Sequence, residues 1–266
     1  MTAYAPTSPI ASPSCGQGWL RQPPGHIRRE RLQRRLLEQP CRLRLLIAPA
    51  GFGKSVLLAD CARACPPGHS ALWLNLAGQA CSTTQFCRQL AAILGYAPNL
   101  SESELLAELQ QESRALWLIL NDYPREPDAA LDACLDRLLW ASPAGLNWWL
   151  GGRRRPTCNL PRLLLEGELF EVGADELAFS AAEVTQWLGP AQAGLADALH
   201  GMTQGWPAAL RLLLLAAQAE PTALSAPQDG EHDQLLAEYV EREVLQGLPD
   251  ELLQMLQQLA QLPRFN

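Results

Sequence analysis

The stretch "LRLLIAPAGFGKSVLL", residues 43–58, decides the fold of this chain. It opens with "LRLLIA", a short, almost wholly apolar run of the kind expected of a strand covered on both faces. The loop "PAGFG" follows, and "KSVLLADCARAC" continues at helical spacing. A strand, a glycine loop and a Lys-Ser pair opening a helix form the arrangement that cradles phosphates. Gly51 and Gly53 let the backbone wrap closely round an anion, and the first N–H groups of the helix point at it. Lys54 is placed to reach β- and γ-phosphates, and the Ser55 hydroxyl to hold Mg²⁺. The competing reading is a strand–helix turn whose lysine is incidental. Against it, the 21 Lys and Arg residues include a single lysine, and it stands here. The general pattern begins with glycine, where this chain has Ala48. The candidate nucleotide-binding residues are thus Ala48, Pro49, Ala50, Gly51, Phe52, Gly53, Lys54, Ser55 and Val56, with ATP or ADP and Mg²⁺ as the expected ligands.

On either side, strands and helices alternate. "HIRRERLQRRLLEQ" carries Ile27, Leu32 and Leu36 at helical spacing. Downstream, "SALWLNL" (70–76), "RALWLILND" (114–122), "LNWWLGGR" (146–153) and part of "GELFEVG" (167–173) read as further strands. "TTQFCRQLAAILG", "ELLAELQQES" and "ALDACLDRLLWAS" between them read as helices. Such alternation predicts an α/β fold, a three-layer αβα parallel sheet with helices on both faces. After Asp175 the pattern turns wholly helical, with breaks at Gly205-Trp206-Pro207 and at Pro221–Gly230. Ser180 with Glu183 three places on is a capping-box start. The expected organisation is a disordered tail over 1–22, rich in Pro, Ser, Ala and Thr, a nucleotide-binding domain over 23–174 and a helical subdomain from 175. The chain stops at "LPRFN" just after a strong helix, which predicts a larger architecture that has been cut.

"LWLILNDYPR" (116–125) raises the chemical question. An NTP-hydrolysing sheet delivers a carboxylate at the end of a strand beside the phosphate loop, to hold Mg²⁺ through water or to activate the attacking water. Here the apolar run ends on Asn121 and the acid follows at Asp122. Asn121 can accept a hydrogen bond from a metal-bound water but brings no charge, so Asp122 carries the metal or water-activating role. The alternative is a plain strand end with an Asn-Asp turn. "WWLGGRRRP" ends another strand with three arginines, one of which could sense a γ-phosphate. On residues alone this is a solvated charge run.

Composition excludes several classes. A net charge of -7 argues against a chain built to coat nucleic acid. Arg28, Arg29, Arg31, Arg34, Arg35, Arg42 and Arg44 cluster locally and read as a solvated helix face. The eight cysteines form no CxxC pair and no zinc spacing; they read as reduced thiols, most of them small core residues. The start lacks a basic segment and an apolar core, and no apolar run reaches the ~18 residues of a membrane span. A cytoplasmic protein without membrane contact is expected.

Taken in order and spacing, "RERL", "APAGFGKSVLL", "LWLILNDY", "WWLGGRRRP", "ELFEVGADELAFSAAEV", "TQGWPAALRLLLLAAQ" and "LPRFN" resemble the STAND-class ATPase domain of the large LuxR-type, maltose-activator-like transcription regulators, over residues 23 to 266. The resemblance implies a strand order of 5-1-4-3-2, a helical lid over 175–235 and the start of a winged-helix segment at 236–266. It makes Ala48 the family's own variant at the first loop position. It places Arg29 near the nucleotide, makes Arg153 the sensor arginine and Gly205-Trp206-Pro207 the lid motif, with Pro207 packed near adenine. The family's acidic pair before Tyr123 is here Asn121-Asp122, which puts fast hydrolysis in doubt but not binding. The function so implied is an ATP/ADP-operated switch, self-associating when ATP-bound, with inducer and DNA contacted by domains beyond this chain. The alternatives are a metabolic P-loop kinase, for which no acceptor-site base is evident, and an inactive nucleotide-binding scaffold.

Overall fold

The computed structural model describes residues 22–23, 25–219, 237–245 and 252–255. The expected tail up to residue 21, the Pro221–Gly230 break and most of 236–266 lie outside the described residues. The chain divides into two compact units. One comprises the described residues up to Ile47 together with Lys54–Gly173; the other comprises Ala48–Gly53 and the described residues from Ala174 onward.

The first unit is a sheet with helices. In chain order it holds α1 (Glu30–Glu38), β1 (Leu43–Ile47), α2 (Lys54–Arg63), β2 (His69–Asn75), α3 (Thr83–Leu94) and α4 (Glu102–Gln110). There follow β3 (Ala115–Tyr123), α5 (Ala129–Ala141), β4 (Leu146–Gly152), α6 (Leu160–Leu165) and β5 (Leu169–Val172). The five strands are all parallel, in the order β2-β3-β4-β1-β5, as the resemblance implies. Apolar runs became strands here because both faces are covered. Leu116, Leu118 and Leu120 of β3 and Trp148 of β4 are buried with Phe86, Leu105 and Leu135 from α3, α4 and α5. On the opposite face Trp117 and Trp149 lie with ring centroids 4.8 Å apart. The helices start where side chains satisfy their first N–H groups: Ser82 and Ser101 cap α3 and α4, and the Asp128 carboxylate caps α5.

The arginine-rich stretch is not simply a solvated face. Arg28, Arg31, Arg34 and Arg35 are exposed, but Arg29 and Arg44 are buried. The Arg44 guanidinium donates to the carbonyls of Leu36, Gln39 and Cys41, so it ties down the C-terminus of α1, and it lies over the Trp149 ring. Arg42 donates to the carbonyls of Leu139 and Ser142. A guanidinium offers five donors and suits a carbonyl cluster that no solvent reaches.

The second unit holds α7 (Ala174–Leu177), α8 (Ala181–Leu188), α9 (Ala196–Thr203) and α10 (Pro207–Ala219), the last three packed round Val184, Leu199, Leu210 and Leu214. The predicted capping box is present: Ser180 accepts from the Glu183 N–H, and the Glu183 carboxylate accepts from the Ser180 N–H. Gly205 has a φ of +73°, and a Cβ there would meet the Phe179 carbonyl oxygen at 2.2 Å. Only glycine fits where these two segments touch.

Candidate functional site

In the sheet unit, the sequence-predicted residues gather at the carboxyl ends of the strands, the edge at which open α/β sheets bind ligands. Lys54 is the first residue of α2, with Ser55 and Val56 behind it. Burial pushes the Lys54 ammonium down to about 8; the Arg153 cation acts in the same direction, Asp122 opposes it, and Arg125 adds to the depression. Lys54, Asp122 and Arg153 therefore share one electrostatic neighbourhood, together with Arg125, which the sequence reading missed.

Asn121 and Asp122 differ sharply in placement. Asn121 is buried, and its amide donates to Asn75 Oδ1 at the end of β2 at 3.0 Å. Its own Oδ1 is buried without a hydrogen-bond partner. Asp122 has a φ of +51° and interrupts the β3–β4 register between Leu120 and Tyr123. Strict alternation would send Leu120 and Tyr123 to opposite faces, yet both pack into the same cluster. The left-handed residue supplies the extra step, so β3 bulges there. The bulge keeps the Asp122 side chain partly exposed, with its carboxylate 4.0 Å from the Arg125 guanidinium.

The three arginines after β4 have three separate jobs. Arg153 acts on Lys54. Arg154 makes two hydrogen bonds to the buried Asp132 carboxylate, which also accepts from the Tyr123 hydroxyl and from the Thr157 N–H and hydroxyl. Arg155 pairs with Glu171. The charge run is thus solvated in part only. Arg29 immediately precedes α1, and the segment leading to it is pinned to α2 through buried Asp60, which accepts from Gln22 and lies 2.9 Å from His26 Nε2.

Ala48–Gly53 belong with the helical unit. The Trp206 indole donates to the Ala50 carbonyl at 3.0 Å, and the Ala208 N–H donates to the Gly51 carbonyl at 3.2 Å. Phe52 stacks on Trp206, whose other neighbour is Tyr239. At Gly51, with a φ of +79°, a Cβ would meet Ala208 Cβ, Trp206 Nε1 and the Tyr239 hydroxyl, all within 2.8 Å. Gly53 (φ +77°) faces open space. Pro207 stands at the first position of α10, where a missing N–H costs nothing. Within the lid motif it is thus Trp206 that touches the loop through its side chain, by a hydrogen bond to Ala50 and a stack on Phe52.

The residues fit a magnesium–nucleotide ligand in kind. Among the described residues no group of three or more His, Cys, Asp or Glu could hold a metal. One serine hydroxyl and one partly exposed carboxylate instead match a small hard cation that takes its remaining oxygens from phosphates and water. In the sheet unit, a helix N-terminus led by lysine matches the phosphates.

No family model matches this chain. It is 25% identical over 253 residues to the HTH-type transcriptional regulator MalT of Cronobacter sakazakii, covering 85% of this chain and 28% of that protein. The MalT of Yersinia pestis strain Pestoides F is 27% identical over 202 residues, covering 66% of this chain and 22% of that protein. A STAND protein with a tetratricopeptide repeat sensor from Pyrococcus horikoshii superposes with a TM-score of 0.55 over 85% of this chain and 34% of its own, at 15% identity. The resemblance is to MalT regulators and STAND ATPases. The fold is accordingly the five-stranded parallel sheet of P-loop ATPases. The chain spans less than a third of the length of the curated relatives it matches.

Proposed function

We propose that this chain is the ATP/ADP-binding switch domain of an inducer-responsive transcription activator, and that it hydrolyses ATP slowly. The observation that carries the reading is the placement of Lys54 at the start of α2, Asp122 near the end of β3 with the Arg125 guanidinium 4.0 Å from its carboxylate, and Arg153 just after β4, all at the carboxyl edge of the sheet. Such an excess of partly desolvated cations suits a polyphosphate. The likeness to MalT and to a STAND fold supports a nucleotide-binding regulatory domain.

In this reading Lys54 neutralises the β- and γ-phosphates, the α2 N-terminus and the glycine loop orient them, and Arg153 senses the terminal one. Mg²⁺, when bound, supplies Lewis-acid neutralisation of phosphate charge, and Ser55 and Asp122 would hold it. Asp122 alone carries the acidic role that an acidic pair would share; Asn121, buried on Asn75, can only orient a water, so turnover is slow. Arg29 borders the nucleotide and Pro207 the adenine. Residues 23–174 form the nucleotide-binding domain, 175–235 the lid and 236–266 the start of a winged helix. ATP licenses self-association of the domain in the cytoplasm, and inducer and DNA are contacted elsewhere in the full-length protein. Among the described residues no helix is long and apolar enough to cross a membrane.

Calorimetric titration of Lys54→Ala with ATP and ADP tests the reading. Binding should weaken at least about tenfold in a protein of unchanged circular dichroism, because the loop loses its point cation. Unchanged affinity would overturn the nucleotide assignment.

A further inference from the structure

Arg125, the last residue of the stretch "LWLILNDYPR", stands in a built setting. Its backbone N–H donates to the Gly78 carbonyl at 3.1 Å, and the Gly78 N–H donates to the Asp122 carbonyl at 2.7 Å. The loop after β2 and the loop after β3 are thus zipped together across these two bonds. Gly78 has a φ of +65°, and a Cβ there would stand 2.6 Å from Arg125 Nε and 3.2 Å from Asp122 Oδ2. The glycine leaves the Arg125 side chain room to cross the loop towards Asp122, where Nη2 comes to 4.0 Å from Oδ2. Arg125 Nε is buried without a hydrogen-bond partner. The guanidinium therefore sits beside the Asp122 carboxylate, the candidate ligand for a divalent cation, without being locked to it by a hydrogen bond.

We propose that Arg125 is a positioning residue that competes with the divalent cation for Asp122, so that tight metal binding waits for a nucleotide whose phosphates take over the arginine. The inference rests on the nucleotide reading above. Two like charges cannot share one carboxylate without mutual cost, and at about 4 Å that repulsion is substantial even near solvent. In the nucleotide-free protein the arginine neutralises Asp122 and weakens metal binding there. When phosphates arrive, they offer the guanidinium a better, bidentate partner and Asp122 passes to the metal. Metal and nucleotide then bind with positive coupling, and each raises the affinity of the other by the same factor.

The test is direct binding, with Mn²⁺ followed by electron paramagnetic resonance and ATP or ADP followed by calorimetry, on the 266-residue chain. In Arg125→Gln, Mn²⁺ should bind the nucleotide-free protein about three- to fivefold more tightly, the size expected when a half-exposed pair is broken. ATP in EDTA should bind about three- to fivefold more weakly. The opposite signs exclude a merely unfolded variant, which loses both. Arg125→Lys keeps the charge and should restore the Mn²⁺ affinity towards wild type, but the ATP affinity only in part, because an ammonium lacks the bidentate fork. If wild type binds ATP and Mn²⁺ but Arg125→Gln leaves the Mn²⁺ affinity unchanged, or moves both affinities the same way, this proposal fails and the nucleotide reading stands. If wild type binds no ATP, both fall together.

Discussion

Asp122 holds a backbone conformation that most residues avoid. A φ of +51° costs an alanine roughly 1 kcal/mol more than an asparagine or aspartate, whose short polar side chains tolerate it. Shape and charge can therefore be separated at this position. Asp122→Asn should abolish ATP hydrolysis while leaving the denaturation midpoint near that of wild type, and Asp122→Ala should abolish it and also lower stability by about 1 kcal/mol. Phosphate release and urea denaturation measure the two effects. Hydrolysis persisting in Asp122→Asn would show that the carboxylate neither holds the metal nor activates water. The role of this residue was legible in "LILND" only in part. That an acid follows the strand is plain from its letters, but the bulge is not, because the Leu120-to-Tyr123 parity change appears only when both side chains are seen in one core. Likewise Asn121 reads as a potential water ligand until its amide is found on Asn75, which lies 46 positions away in the chain.

At the scale of elements, β1, β3 and β4 were readable because they are covered on both faces, and the glycine loop fixed where strand gave way to helix. What joins the elements was not readable. Asp132 on α5 and Arg154 after β4 look like surface charges on helix and loop, yet the carboxylate is 1% exposed and is held by five donor contacts. No local pattern signals a pair brought together by sheet topology. Burial pushes the Asp132 carboxyl up, but the Arg154 guanidinium, the Thr157 N–H and hydroxyl and the Tyr123 hydroxyl outweigh it and hold it below the usual carboxylate range. A carboxyl with a folded pKa below its unfolded value of about 3.9 contributes stability that is fully present above that value. The contribution is lost as pH falls through the folded pKa. Asp132→Asn should then be less stable than wild type by about 3 kcal/mol at pH 7, since it leaves Arg154 without a charge partner. The gap should narrow steadily below about pH 4, where wild type gives up what the variant never had. A gap independent of pH, measured by urea denaturation at both ends of that range, would mean that the pair contributes packing and not charge.

For the molecule as a whole, charge argues against sequence-specific DNA reading by this chain. It carries 28 acidic residues against 21 basic ones. The exposed arginines of the N-terminal cluster, Arg28, Arg31, Arg34 and Arg35, share their stretch with Glu30 and Glu38, so even the local excess is small. Other arginines are already spent inside the fold, on helix carbonyls at Arg44 and on a buried carboxylate at Arg154. A specific DNA reader needs several phosphate contacts to set register and side chains reaching base edges from a helix or ribbon seated in a groove. Affinity from a few surface arginines is mostly counterion release, and falls steeply as salt rises. The chain should therefore show, at most, weak binding to any duplex at low ionic strength, gone by about 150 mM salt and indifferent to sequence. Mobility shifts against promoter and scrambled duplexes across a salt series check this. A shift that survives at about 150 mM and yields only to the promoter as competitor would place a reading head within these 266 residues.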